Sequence, residues 1–154
     1  MEDHSYIVNI EWTGQNGVGT TDYAAYARSF NLQAGEKPML ECSSDTLFRG
    51  DKTKYNPEDM LVASLSSCHM LWYLHFCADH GITVLEYKDA AAGVLSLEKG
   101  APSKFTNITL KPRVRIKESD KIELAEALHA KAHEFCFIAN SVNFPVIIDA
   151  HTFA

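Results

Sequence analysis

Nineteen consecutive residues, from Met60 to Ala78, contain no Asp, Glu, Lys or Arg, and this uncharged stretch most constrains the fold. A strong helix start precedes it, with Asn56 as N-cap, Pro57 at the first helical position and acidic residues in the first turn. Gly81 is typical of a helix end. The sequence therefore predicts one helix over 57–80, about 36 Å long.

A membrane span is the alternative interpretation of this helix, because about 20 apolar residues can cross a bilayer. Five of the nineteen positions are nevertheless Ser or His, and no basic flank follows. We therefore expect no membrane association and a helix buried on every side. A single sheet and one other helix offer too little surface to cover it, so we predict a homodimer with this helix near the interface.

Most of the remaining chain has strand patterns. Apolar residues alternate with polar ones over 6–12, turn residues occupy 14–19, and apolar residues resume over 23–32, which predicts an N-terminal hairpin. Further strands are expected over 38–42, 83–97, 105–117 and 144–149. A second, amphipathic helix is expected from about 119, with Asp120 and Glu123 forming a capping box. We interpret 1–154 as a single domain.

Composition excludes several function classes. The 154 residues carry 14 basic and 20 acidic side chains, a net charge of −6, and phosphate binding needs the opposite balance. We therefore expect no nucleic-acid partner. The four cysteines form no C-x-x-C pair, and the chain starts with acids rather than a signal peptide. A cytoplasmic location is the expectation.

Cys68 lies in the middle of the uncharged helix, and Cys136 lies at the end of the second helix. Most buried free cysteines are small core residues, and that interpretation stays open for Cys68. If the two helices cross, however, these thiols could meet and form a redox pair. Cys77 lies about 13 Å further along the helix, too far from Cys68 for a disulfide, and is interpreted as core.

His129, His133 and Cys136 are spaced i, i+4 and i+7 on one helical face, which is metal-ligand spacing. No fourth ligand is evident, so a metal site is kept only as an alternative and we expect no bound metal. His69 follows Cys68 directly but points about 100° away around the helix, which makes it a poor partner for that thiol.

Several segments, taken in their order along the chain, resemble the OsmC/Ohr family of osmotically inducible and organic hydroperoxide resistance proteins. They are Trp12-Thr13-Gly14, Phe48-Arg49-Gly50-Asp51, Asn56-Pro57-Glu58-Asp59-Met60-Leu61, Ser66-Ser67-Cys68-His69-Met70 and Ala132-His133-Glu134-Phe135-Cys136. The most specific part is Asn-Pro-Glu opening a long apolar helix with a cysteine ten residues after the Glu. The similarity covers essentially the whole chain.

The resemblance implies an α+β, OsmC-like fold in which an antiparallel sheet wraps around long central helices in an intertwined homodimer. It also implies a thiol-dependent peroxidase that reduces organic hydroperoxides in oxidative-stress defence. No bound cofactor is implied, but an external dithiol reductant of lipoyl type is. Carried over, Cys68 is the peroxidatic nucleophile, Cys136 is the resolving thiol, and Glu58 orients an arginine that activates Cys68.

The arginine is where this chain departs from the family. Better-known members carry it in the first hairpin loop, where this sequence has Gln15 and Asn16. Arg49 is the first substitute, with Arg28 as the second. Proline is frequent after the second cysteine in the family, whereas Phe137 follows Cys136 here, and this second departure concerns the exposure and the resolving role of Cys136.

Two further expectations concern the ligand. An apolar pocket is predicted from five candidate residues, which are Phe48, Met70, Trp72, Phe135 and Phe137. Such a pocket would prefer alkyl or lipid peroxides to hydrogen peroxide. The alternative function is a non-catalytic dimer of the same fold that binds a small apolar ligand.

Overall fold

The computed structural model describes residues 3–154, which divide into two compact units after Met60. The first unit contains an antiparallel sheet of three strands, β1 (Asn9–Trp12), β2 (Phe30–Gln33) and β3 (Leu40–Cys42), in the order β1-β2-β3. A 3-10 turn, Thr46–Phe48, follows. The predicted hairpin and short third strand are confirmed.

The second strand of the hairpin begins later than the sequence predicts, at Phe30 instead of residue 23. Side chains take up the carbonyl groups that a longer ladder would use. The Trp12 indole donates to the Ala27 carbonyl at 2.9 Å, and the Arg28 guanidinium donates to the Tyr26 and Tyr23 carbonyls at 2.5 and 2.7 Å. The apolar residues of this segment therefore belong to a long loop.

The uncharged stretch forms the predicted helix, α1 (Pro57–Asp79). Asn56 Oδ1 accepts a hydrogen bond from the Asp59 N–H at 2.7 Å, and an Asp59 carboxylate oxygen accepts the Asn56 N–H at 3.3 Å. These two bonds cap orphan donors of the first turn. Gly81, with φ of 63°, ends the helix in the left-handed region as predicted.

The second unit, Leu61–Ala154, adds six strands and a second helix to α1. The strands are β4 (Val84–Asp89), β5 (Ala92–Ser96), β6 (Lys104–Leu110), β7 (Pro112–Ile116), β8 (Val146–Ile148) and β9 (His151–Phe153), and the helix is α2 (Ile122–Phe135). Two sheets form, β4-β7-β9 and β5-β6-β8. The α+β class is confirmed, although β8 and β9 pair in parallel with their neighbours, so these sheets are mixed.

Each of the two long predicted strands, over 83–97 and 105–117, is divided into two by Asp89. Its carboxylate accepts the Lys111 N–H at 2.6 Å and the Ser66 hydroxyl at 2.5 Å, and Pro112 has no N–H to continue a ladder. The predicted last strand shortens to β8, and β9 after it was not predicted.

The predicted capping box of the second helix is wrong. A 3-10 turn, Ser119–Lys121, precedes α2, and the helix start has no side-chain cap bond. Glu118 instead accepts hydrogen bonds from the Thr83 N–H and hydroxyl at 2.7 and 2.8 Å. This interaction fixes the entry to α2 from outside the helix.

The buried residues of α1 lie at intervals of one turn along a single stripe, which comprises Leu65, His69, Tyr73, Phe76 and Cys77. Around it lie two core clusters, one with α2, β4 and β7, and one with β6 and β8. The opposite side is open, and Leu71 is 62% exposed. One chain alone therefore does not bury the helix on every side. By length and composition α1 could cross a membrane, but core helices of soluble proteins meet the same criterion.

Candidate active site

The thiols of Cys68 and Cys136 are neighbours within the second unit. Cys68 projects from α1 and is half-buried, whereas Cys136 caps the end of α2 and is 1% exposed. Both are free thiols. Cys68 on α1 and Cys136 at the end of α2 therefore lie close together.

The surroundings of Cys136 favour the protonated form of its thiol. Burial raises the pKa of the Cys136 thiol to about 11, and the neighbouring Cys68 thiol acts in the same direction. The Ala139 N–H, at 3.4 Å from Cys136 Sγ, opposes this shift without cancelling it. At neutral pH Cys136 is thus a buried thiol, able to donate a hydrogen bond to the sulfur of Cys68.

Cys68 faces an apolar cavity of about 570 Å³. Four other α1 residues lie on the same helical face, one or two turns away, and residues that follow Cys136 close the far wall. The lining consists of Ser64, Ser67, Cys68, Leu71, Trp72, His75, Phe137 and Ile138. A volume of this size accommodates a drug-sized organic molecule, and the mostly apolar wall favours an apolar one.

Trp72 lies at the centre of an aromatic cluster beside the cavity. Its ring contacts Phe76 at 5.4 Å between centroids, and contacts Phe135 and Phe137 at 5.5 Å. Edge-to-face and offset contacts of this kind stabilise an aromatic cluster beyond its buried area. Because Phe135 and Phe137 flank Cys136, the cluster also joins the end of α2 to the middle of α1.

The pocket prediction is correct in part. Trp72 and Phe137 line the cavity, whereas Met70 and Phe135 do not. Phe48 lies in the first unit, 39% exposed beside Arg49. Spacing from Cys68 would have identified Ser64, Leu71 and His75, because i−4, i+3 and i+7 share its helical face.

The other candidate side chains lie in the first unit. Glu58 stands in the first turn of α1, and its Oε2 is buried without a hydrogen-bond partner among residues 3–154. Arg49 is exposed, with φ of 65°. No ion pair joins these two side chains in the described part of the chain.

Arg28 is held differently from Arg49. Its guanidinium lies 4.4 Å from the Tyr23 ring centroid and 4.0 Å from that of Tyr26, in addition to its two bonds to the carbonyls of these residues. This is a cation–π arrangement with its donors partly used. Arg49 differs in its backbone. Among residues 3–154 it is the one non-glycine residue with a positive φ.

The alternative metal site is not formed. Within residues 3–154 no three His, Cys, Asp or Glu side chains gather in a geometry that could hold a metal ion. His129 instead pairs with His69, its Nδ1 lying 3.0 Å from His69 Nε2. Helical spacing does not predict this pair, because its two members lie on different helices, 60 positions apart in sequence.

Comparison with known proteins agrees with this architecture. No curated protein sequence matches the chain significantly. The structure of an OsmC-like protein of unknown function from Vibrio cholerae is 28% identical over 97% of this chain and 100% of that one, with a TM-score of 0.88. An organic hydroperoxide resistance protein from Legionella pneumophila shares the fold at 17% identity, covering 100% of both chains with a TM-score of 0.69.

A third structure, an organic hydroperoxide resistance protein from Elizabethkingia anophelis, shares the fold at 16% identity, with 98% of each chain covered and a TM-score of 0.65. The family model for OsmC-like proteins matches residues 50–151, which include α1, α2, Cys68 and Cys136. That match spans well over half of the sequence and agrees with the geometry described above. The chain therefore belongs to the OsmC-like protein family.

Proposed function

We propose that the protein is a cysteine-based peroxidase that reduces organic hydroperoxides in oxidative-stress defence. The observation that carries the proposal is the adjacency of Cys68 and Cys136 at the wall of an apolar cavity. The names of the relatives from Legionella pneumophila and Elizabethkingia anophelis, both called organic hydroperoxide resistance proteins, support the same reaction class.

The environments of the two thiols support the proposed roles. Cys68 lines the cavity and meets a hydroperoxide first, whereas Cys136 is buried and kept protonated. The Cys68 thiolate attacks the distal peroxide oxygen and breaks the O–O bond, which gives a Cys68 sulfenic acid and, after protonation, the alcohol. Cys136 then condenses with this sulfenic acid, forming the Cys68–Cys136 disulfide and releasing water.

An external dithiol of lipoyl type closes the proposed cycle. Two thiol–disulfide exchanges transfer its electrons to the Cys68–Cys136 disulfide, restoring both thiols and leaving the dithiol oxidised. No bound cofactor takes part in these steps. The proposal places the protein in the cytoplasm, where such dithiols are kept reduced, with neither nucleic acid nor membrane as a partner.

A cation near Cys68 would stabilise the negative charge on the attacking sulfur, and α1 offers none, because residues 60–78 carry no charged side chain and the N-terminal dipole is twelve residues away. Arg49 is the proposed source. Its side chain is exposed, and positive φ in a non-glycine residue is strained backbone of the kind that clusters at functional sites. Glu58 would orient it, since a buried carboxylate oxygen without a partner favours a guanidinium donor.

Glu58 lies ten residues before Cys68 on α1, about 15 Å along the helix axis, so it cannot reach that cysteine directly within one helix. A homodimer in which two copies of α1 run antiparallel would bring Glu58 of one chain towards Cys68 of the other. The open apolar face of α1, on which Leu71 is exposed, supports this assembly. The homodimer is therefore part of the proposed active form.

The direct test is steady-state turnover of cumene hydroperoxide with dihydrolipoamide. Cys68→Ser is expected to abolish turnover, and Cys136→Ser is expected to permit formation of the sulfenic acid but not the disulfide. Cys42→Ala is the matched control, because Cys42 is a buried thiol of the first unit, and it should turn over at the wild-type rate. Equal rates for wild type and Cys68→Ser would refute the proposal.

The arginine assignment has its own test. Arg49→Gln should lower kcat/KM about 10- to 100-fold, the range expected for one hydrogen bond to a charged group. Arg115→Gln, which alters an exposed arginine of β7, is the control. If Arg28→Gln causes the loss while Arg49→Gln does not, the activating role belongs to Arg28.

The cavity also favours a second candidate, a non-catalytic dimer that binds a small apolar ligand. This candidate expects unmodified thiols after a stoichiometric dose of peroxide, together with saturable binding of an apolar probe. The peroxidase proposal expects oxidation at Cys68. Peptide mapping by mass spectrometry separates the two.

A further inference from the structure

A buried hydrogen bond between two histidines joins α1 to α2, and the peroxidase chemistry above does not use it. His69 Nε2 lies 3.0 Å from His129 Nδ1, and the two residues are 1% and 3% exposed. The planes of their rings differ by 7°. One nitrogen donates and the other accepts, so this single bond couples the tautomers of the two rings.

The ring of His129 is held on its face as well as at its edge. Tyr73, one turn after His69 on α1, stacks on it at 3.9 Å between centroids with 9° between planes. The outer nitrogens, His69 Nδ1 and His129 Nε2, are buried without partners in the described structure. The rings thus have no other hydrogen-bond partner to turn to, which makes their mutual bond a rigid link.

The link lies next to the cysteine pair. On α1, His69 and Cys68 are consecutive, about 1.5 Å apart along the axis, whereas on α2 His129 and Cys136 are seven residues apart, about 10 Å. The histidine contact and the cysteine contact therefore lie close together on α1 but about 10 Å apart on α2. A 10° change in the direction of α2 moves these two points by about 2 Å relative to each other, so the histidine contact limits where Cys136 can lie.

We infer that the His69–His129 hydrogen bond is a positioning device for the cysteine pair, holding the Cys136 sulfur where it can bond to Cys68. The inference rests on the proposed function for the step in which it acts. A disulfide requires the two sulfurs to approach to about 2.05 Å, with a narrow range of dihedral angle. The two helices must therefore be positioned more closely than this shift of about 2 Å. Misplacement of reacting atoms by about 1 Å can cost a factor of 100 in rate.

The test exploits side chains that imitate one ring nitrogen. Gln places an amide near the position of Nε2, and Asn places one near Nδ1, so His69→Gln and His129→Asn can keep the bond. The near-isosteric variants His69→Met and His129→Leu remove it. Ile116→Ala is a control for lost stability alone, because Ile116 is buried in the same core but lies on β7.

The measurement is the equilibrium between the Cys68–Cys136 dithiol and its disulfide in glutathione buffers, where oxidised glutathione takes the electrons. This couple needs no peroxide, so it can form even if the protein shows no peroxidase turnover. We expect His69→Met and His129→Leu each to lower the equilibrium constant at least tenfold. His69→Gln, His129→Asn and Ile116→Ala should stay within about threefold of wild type.

The double variant His69→Met/His129→Leu sharpens the result, because two residues that act through one bond should lose no more together than either does alone. An unchanged constant in His129→Leu would overturn the inference. Equal losses in His129→Asn and His129→Leu, or in Ile116→Ala, would overturn it too, since packing would then suffice as the explanation. Absence of any disulfide in the wild-type protein would overturn it together with the resolving role of Cys136.

Discussion

Two faces of the same helix, α1, have opposite surroundings. One carries Cys68 and Leu71 and borders an open apolar cavity, while the other carries Leu65, His69 and Tyr73 and is sealed against the core. Cys68 and His69 are neighbours in sequence, yet the first is accessible and the second is 1% exposed. The uncharged stretch of α1 therefore has two different faces: one packs in the core, and the other is open.

The buried face should make the protein acid-labile, which is the largest effect we expect. Burial lowers the pKa of His69 and of His129 to about 4, from an ordinary 6.5. His133 lowers the pKa of His69 further, whereas Asp89 acts in the opposite direction. The unfolded chain therefore binds more protons than the folded one between these pH values. The contribution of this pair to the free energy of unfolding is fully present above pH 6.5. It falls towards pH 4, by up to about 1.4 kcal/mol per pH unit for each histidine.

Urea unfolding at pH 7.0, 6.0 and 5.0 measures this loss. The carboxyl groups with lowered pKa, Asp51, Glu86 and Glu118, contribute mainly below this range, because their ordinary pKa values lie at 4.5 or less. In the variant His69→Gln/His129→Asn the pH dependence should be much flatter. Equal slopes in wild type and double variant would show that the pair does not stay neutral.

A matched pair of leucines compares the two faces directly. Leu65 is fully buried and Leu71 is 62% exposed, so Leu65→Ala should cost about 2–5 kcal/mol of unfolding free energy. Leu71→Glu should instead weaken self-association, because it places a charge on the face proposed for the interface. Denaturant unfolding and sedimentation equilibrium measure the two effects. If Leu71→Glu leaves the dimer unaffected, the interface lies on another face.

The cavity wall should give the smallest effect, on substrate preference. Trp72→Ala removes the centre of the aromatic cluster, and we expect kcat/KM for cumene hydroperoxide to fall about tenfold, as for loss of part of an apolar contact worth about 1.4 kcal/mol. Hydrogen peroxide makes no such contact, so its rate should change little. A similar fall for both peroxides would indicate that Trp72 positions Cys136 instead of binding substrate.

Local signals in the sequence were sufficient for α1. Asn56, Pro57 and Gly81 act within a few residues of the positions that they cap, and the structure begins and ends the helix accordingly. The division of the long strands was not predictable in this way. It depends on Asp89 accepting the Lys111 N–H, a contact between residues 22 positions apart.

The candidate site shows the same limit. The meeting of Cys68 with Cys136 was expected on condition that the helices cross, and the family resemblance gave it a reason. The His69–His129 bond joins residues 60 positions apart, and no periodicity within either helix identifies a partner on the other. The cavity wall on α1 follows from helical spacing, whereas the contribution of Phe137 and Ile138 depends on how the chain turns after Cys136.

Peptide mapping without reduction, after treatment with one equivalent of cumene hydroperoxide, tests the proposed mechanism most directly. The mechanism predicts one new crosslinked peptide pair, joined by a disulfide between Cys68 and Cys136, with Cys42 and Cys77 still reduced. Four unmodified thiols, or a disulfide that involves Cys42 or Cys77, would contradict it.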